Sequence, residues 1–131
     1  MTLRILLDEH VNPAVADTAR RMNPELTVVS VHDWENGHFC GAPDRELLLS
    51  ASAQGLTLLT FDLRTIPTVL RSFAEEDIHH GGVVFVDEKS LPQNDVGGIA
   101  RTLCRLAQTH GNVSWVNRVQ YLKVSSGSAT S

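Results

Sequence analysis

A chain of 131 residues, 42% hydrophobic and 20% charged, has the size of one domain and is not composed like a disordered protein. No apolar stretch approaches the roughly 20 residues that span a bilayer, and no leader with basic, apolar and small-residue regions precedes the first strand, so a cytoplasmic protein is expected. A net charge of −4 speaks against binding nucleic acid through a basic face alone.

In chain order, Leu3-Arg4-Ile5-Leu6-Leu7 reads as a buried strand and closes on Asp8-Glu9. Asn12-Pro13 starts a helix, with Asn12 as the cap and Val15, Ala19 and Met22 recurring at helical spacing. Arg20 and Arg21 fall in its last turn, where the helix dipole favours cations. Leu26 to Val31 is rich in β-branched residues and predicts a second strand. His32 to Ala42 has no period and is the longest irregular segment.

Pro43 opens a second helix carrying Asp44 and Glu46 in its first turn, and Gly55 ends it. Leu56 to Phe61 is a third strand leading to Asp62, followed by a helix over about Thr65 to Glu76. Gly82 to Val86 predicts a fourth strand, Asp95 starts the longest helix, and Gly111 stops it. Ser114 to Val124 suits a fifth strand near an edge, and residues 125–131 read as a disordered tail after a domain over residues 1–124. Strands alternating with helices predict an α/β domain of three layers around a mainly parallel five-stranded sheet. Right-handed crossovers place the first and third strands side by side, flanked by the second and fourth.

In such a sheet, ligands bind beyond the carboxyl ends of the strands. Asp8-Glu9 and Asp62 stand at two of those ends, and Asp44 and Glu46 at a helix start. Each has an ordinary explanation as a cap, a dipole partner or a solvated charge. Brought together on neighbouring strands, like charges raise a pKa or require a cation. Oxygen ligands of this kind suit a hard cation such as Mg²⁺ or Mn²⁺, and through it phosphate chemistry. Thr60, one residue from a strand end, is placed to support a carboxylate with its hydroxyl.

Other constellations are weaker. His38-x-Cys40 lacks both zinc spacing and a second ligand pair. His79-His80 precedes Gly81-Gly82 and suits a turn. Gly97-Gly98 is not embedded in a phosphate loop, and neither Ser50 nor Ser52 sits in a nucleophile elbow. Cys40 and Cys104, with apolar neighbours, are expected to be buried free thiols.

Leu6-Leu7-Asp8-Glu9, Asp44-Arg45-Glu46-Leu47-Leu48 and Gly55 through Thr60-Phe61-Asp62, in that order, resemble the PIN domain superfamily. Within it they resemble the compact branch of PIN-like proteins that begin Leu-Leu-Asp-Glu, and the resemblance spans roughly residues 3 to 90. It implies a metal-dependent ribonuclease fold, often a homodimeric toxin held by a cognate antitoxin. By position, Asp8, Asp44 and Asp62 match the family's metal-holding acids, and Glu9 matches the paired acid of the compact branch. His10 stands where that branch carries Asn, and Leu63-Arg64-Thr65 replaces an acidic residue followed by Phe. A separate second acid is absent unless Glu9 or Glu35 serves.

The expected function is a Mg²⁺- or Mn²⁺-dependent endoribonuclease. Asp8, Asp44 and Asp62 hold metal, Glu9 orients the attacking water or reaches the cation through one, and Thr60 and Glu46 support the site. Arg45 and Arg64 are candidates for RNA phosphates. The alternative is a PIN-like domain without catalysis that binds RNA or protein. A receiver-like signalling domain ranks below both, because the fourth strand ends Val86-Asp87-Glu88 without a hydroxyl residue and no apolar strand pattern leads to Lys123.

Overall fold

The computed structural model describes residues 3–124; the expected tail at 125–131 lies outside the described residues. Five strands, β1 (Arg4–Leu7), β2 (Thr27–Ser30), β3 (Thr57–Thr60), β4 (Val83–Val86) and β5 (Val119–Leu122), form one sheet. Four helices alternate with them: α1 (Ala14–Met22), α2 (Asp44–Ala53), α3 (Thr65–Glu75) and α4 (Val96–His110). The sheet order is β2-β1-β3-β4-β5 and every pairing is parallel. The expected adjacency of the first and third strands is therefore present, with Leu6 opposite Leu58 and Leu7 opposite Leu59.

The strands read as continuous apolar runs because both faces of a parallel sheet are covered. Ile5 and Leu7 face a core shared with Val15 and Ala19 of α1 and Ile99 and Leu103 of α4. Leu6 and Leu58 face the opposite core, with Leu47 and Leu48 of α2 and Ile66 and Phe73 of α3. Chain order alone does not say which helix takes which face. The alternation of side chains along each strand divides them once the register is set.

Local chemistry accounts for the element ends. The Asn12 carboxamide accepts the Ala14 N–H at 2.9 Å, serving as the cap expected of it. Pro43 is extended (ψ 143°) and stands just outside α2, so Asp44 is the first helical residue. Pro67 lies in the first turn of α3, where its missing N–H removes no helical bond. The Asp95 carboxylate caps α4 by accepting from Gly98 N–H at 3.0 Å. Gly82 enters β4 at φ +101°, and an added Cβ there would lie 2.6 Å from the Trp115 carbonyl oxygen.

One expectation is corrected. Cys104 is buried between α4 and α1, but Cys40 is exposed. It lies on a loop of successive tight turns, Asn36 N–H to Asp33 O through Ala42 N–H to Phe39 O, whose inward positions are taken by Trp34 and Phe39. Both thiols are free.

Candidate active site at the carboxyl edge of the sheet

Strand order reverses direction between β1 and β3, which makes their carboxyl ends the switch point of this sheet. Asp8 continues β1 by one residue, its N–H donating to Leu59 O of β3 at 3.0 Å. That pairing holds the carboxylate in the sheet, where Asp8 is only 6% exposed. A buried carboxylate needs partners. The Thr60 hydroxyl donates to Asp8 Oδ2 at 2.7 Å, and the Glu9 N–H donates to Oδ1 at 2.8 Å. Thr60 is itself fully buried, and its hydroxyl oxygen accepts the Asp62 N–H at 3.0 Å. One hydroxyl thus joins the ends of the two central strands.

Asp62 Oδ1 accepts the N–H groups of Arg64 and Thr65, each at 2.8 Å, and so organises the first turn of α3. Burial alone would raise the Asp62 pKa. The N–H groups of Thr65 and Arg64, with the Thr65 hydroxyl and the Arg64 charge, outweigh it and hold the carboxyl below its usual value. The capping role and the site position therefore coexist in one residue.

Asp44 differs. No side-chain cap bond closes the start of its helix. Its pKa is raised, first by burial and then by the negative charges of Asp8, Asp62 and Glu9, while His10 pulls the other way. Acids delivered by the end of β1 and the end of β3 thus act on the one at the start of α2. Glu46 is not among the charges acting on Asp44, and it is exposed.

Glu9 fastens the long loop to this edge. Its Oε1 accepts the Gly41 N–H at 3.0 Å, and its carbonyl oxygen is 2.9 Å from His32 Nε2. Glu35 is drawn away: it accepts from Gln54 at 3.4 Å, just past the end of α2 opposite Asp44, roughly 15 Å along a helix of this length. Of the two residues considered for a further acid, Glu9 alone is at the edge. Asp87, at the end of β4, is occupied in its own turn by Lys89 N–H and Ser90 Oγ.

The arginines separate. Arg45 points back across α3, paired with Glu76 at 3.1 Å, bonded to Ser72 at 3.0 Å and stacked over Phe73. Arg64 is exposed beside Asp62. Sequence reasoning did not assign a role to His10 or to the Gly41 N–H. A backbone donor carries no residue signature, and His10 was legible only as an unusual neighbour of Asp8-Glu9.

The oxygen donors fit a hard divalent cation by type, and the negative charges that raise Asp44 give it an electrostatic reason to bind. Among the described residues, no group of three or more His, Cys, Asp or Glu side chains is drawn together closely enough to hold a metal ion. The fit thus rests on donor chemistry and charge coupling. Compared with protein-family models, curated proteins and solved structures, the chain has no match that identifies a family.

Proposed function

We propose that this chain is a Mg²⁺- or Mn²⁺-dependent endoribonuclease of PIN-like type, the cytoplasmic toxin of a toxin–antitoxin pair. The observation that carries the reading is the coupling of Asp44 to Asp8, Asp62 and Glu9 at the switch point of a parallel sheet. Asp8, Asp44 and Asp62 would hold the cation, which when bound would supply positive charge to a scissile phosphate and acidify a water. Thr60 keeps the Asp8 carboxylate fixed in orientation by donating to it. Glu9, held by Gly41, would orient the attacking water. Arg64 has its charge free of any ion pair among the described residues and is the better phosphate contact; Arg45 would first have to leave Glu76. The apolar side chains exposed on β5, Val119 and Tyr121, offer a surface for a second copy or an antitoxin.

Purified, antitoxin-free protein should cleave single-stranded RNA with Mn²⁺ and stop when the metal is chelated. Asp44→Ala should fold and lose about a hundredfold or more in rate, since such groups act on charge developing in the transition state. Full activity in a folded Asp44→Ala protein would overturn the three-aspartate site. A second reading, a domain that binds RNA or protein without cleaving, is favoured by one observation. Both Asp8 oxygens and Asp62 Oδ1 already accept hydrogen bonds, and the acids are not gathered into a ligand set. No cleavage of any RNA by metal-loaded wild type would select it.

A further inference from the structure

The loop between β2 and α2 carries a nucleophile beside a base. Cys40 Sγ lies 3.4 Å from His32 Nδ1, and His32 Nε2 lies 2.9 Å from the Glu9 carbonyl oxygen. A carbonyl can only accept, so Nε2 bears the proton. In the neutral ring Nδ1 is then the unprotonated nitrogen, facing the thiol. The Val31 carbonyl, at 3.7 Å, is the other acceptor within reach of the S–H. A nucleophile, a base and a group that orients the base thus stand in series, the arrangement that activates thiols.

The pair is fixed in place. Gly41 N–H is held by Glu9 Oε1, Cys40 N–H by Gly37 O at 3.1 Å, and Phe39 stacks on the buried Trp34 with ring centroids 4.8 Å apart. Cys40 is also exposed, so a reagent can reach it. Cys104 is the opposite case: it is buried, donates to Ala19 O, and burial pushes its thiol up.

We propose that Cys40 is a thiol–disulfide exchange site whose reactivity is set by His32 and whose partner is a low-molecular-weight disulfide. His32 Nδ1 takes the thiol proton as the Cys40 sulfur attacks one sulfur of the disulfide. The new S–S bond forms as the reagent's own S–S bond breaks, and the electron pair leaves with the departing thiolate, which recovers the proton from His32. Cys40 is oxidised and the reagent reduced to the same extent, so no other oxidant is needed. The group left on Cys40 stands next to Gly41, whose N–H is fastened to Glu9. The proposal does not depend on the ribonuclease reading.

The test is stopped-flow reaction of the native full chain with dithiobis(nitrobenzoate). Wild type and Cys104→Ser should show the same fast phase, and Cys40→Ser should show none until the chain is unfolded in urea. The native Cys40 thiol should react about tenfold faster than the same thiol in the unfolded chain, the gain expected from a base that faces the sulfur and takes its proton during attack. His32→Gln retains an amide donor for the Glu9 carbonyl and removes the base, so it should lose that gain. Near-ultraviolet circular dichroism of Trp34 reports whether the loop is intact in that variant. If His32→Gln disturbs the loop, the native-against-unfolded comparison in Cys104→Ser decides alone. A native Cys40 no faster than the unfolded thiol, or an intact His32→Gln protein with the wild-type rate, overturns the proposal.

Discussion

Two aspartates in one patch answer to pH with opposite signs. The Asp44 carboxyl is raised by burial and then by Asp8, Asp62 and Glu9. The folded chain therefore binds its proton more tightly than the unfolded chain does. Ionised Asp44 subtracts stability at neutral pH, and that loss is recovered as pH falls through the raised value towards 3.8. Asp44→Asn should accordingly melt above wild type at pH 7, with the difference closing as the pH approaches 3.8. Asp62 lies below its usual value, so its contribution is present above 3.8 and lost as pH falls through the folded value. Asp62→Ala should be less stable at pH 7 by about 1 kcal/mol, the usual cost of a lost cap. Thermal melts of both variants across pH 3 to 8 would check the pair. A destabilised Asp44→Asn at pH 7 would contradict the raised Asp44 carboxyl.

At the scale of elements, the strand ends do the positioning and the turns hold them. β4 can begin where it does because Gly82 passes close under Trp115. Gly82→Ala would combine a left-handed backbone (φ +101°) with a Cβ 2.6 Å from a carbonyl oxygen, and should cost about 3 kcal/mol or more. Gly41 also has positive φ (+77°), but no atom lies within 4 Å of an added Cβ. Gly41→Ala should cost only about 1 kcal/mol, from the backbone alone. Urea midpoints of the two variants would separate steric clash from conformational preference, and equal losses would contradict the close approach at Trp115. The Arg45–Glu76 pair, which joins α2 to α3, is half-exposed and contributes no more than about 1 kcal/mol.

For the whole molecule, the patch at the switch point should respond to a cation as one unit. A cation at about 100 times its dissociation constant would add about 2.7 kcal/mol of stability and raise the melting temperature by several degrees. Titrating Mn²⁺ during thermal unfolding should show this rise in wild type and in Glu76→Gln, and not in the Asp8→Asn, Asp62→Asn double variant. Equal shifts in all three would place the cation elsewhere. β5, the last strand, lies at the edge with Val119 and Tyr121 exposed, while β3 and β4 are buried along their whole length. The apolar run of the central strands and the mixed pattern of Ser114 to Val124 already distinguished these two environments.

Strands, helices, sheet class and the adjacency of β1 and β3 were legible in the sequence. Continuous apolar runs, caps and chirality rules act locally, and they leave few ways to wind a short α/β chain. The positions of Asp8 and Asp62 at strand ends were legible for the same reason. Only the tertiary structure decided what each acid meets. Thr60 binding Asp8, Glu35 turning to Gln54 and Arg45 turning to Glu76 join residues distant in sequence, and Cys40 meets His32 only through the path of an aperiodic loop. Periodicity reports which side of an element is buried; it carries no record of which polar group a side chain finds across the fold, because that depends on register and loop path together.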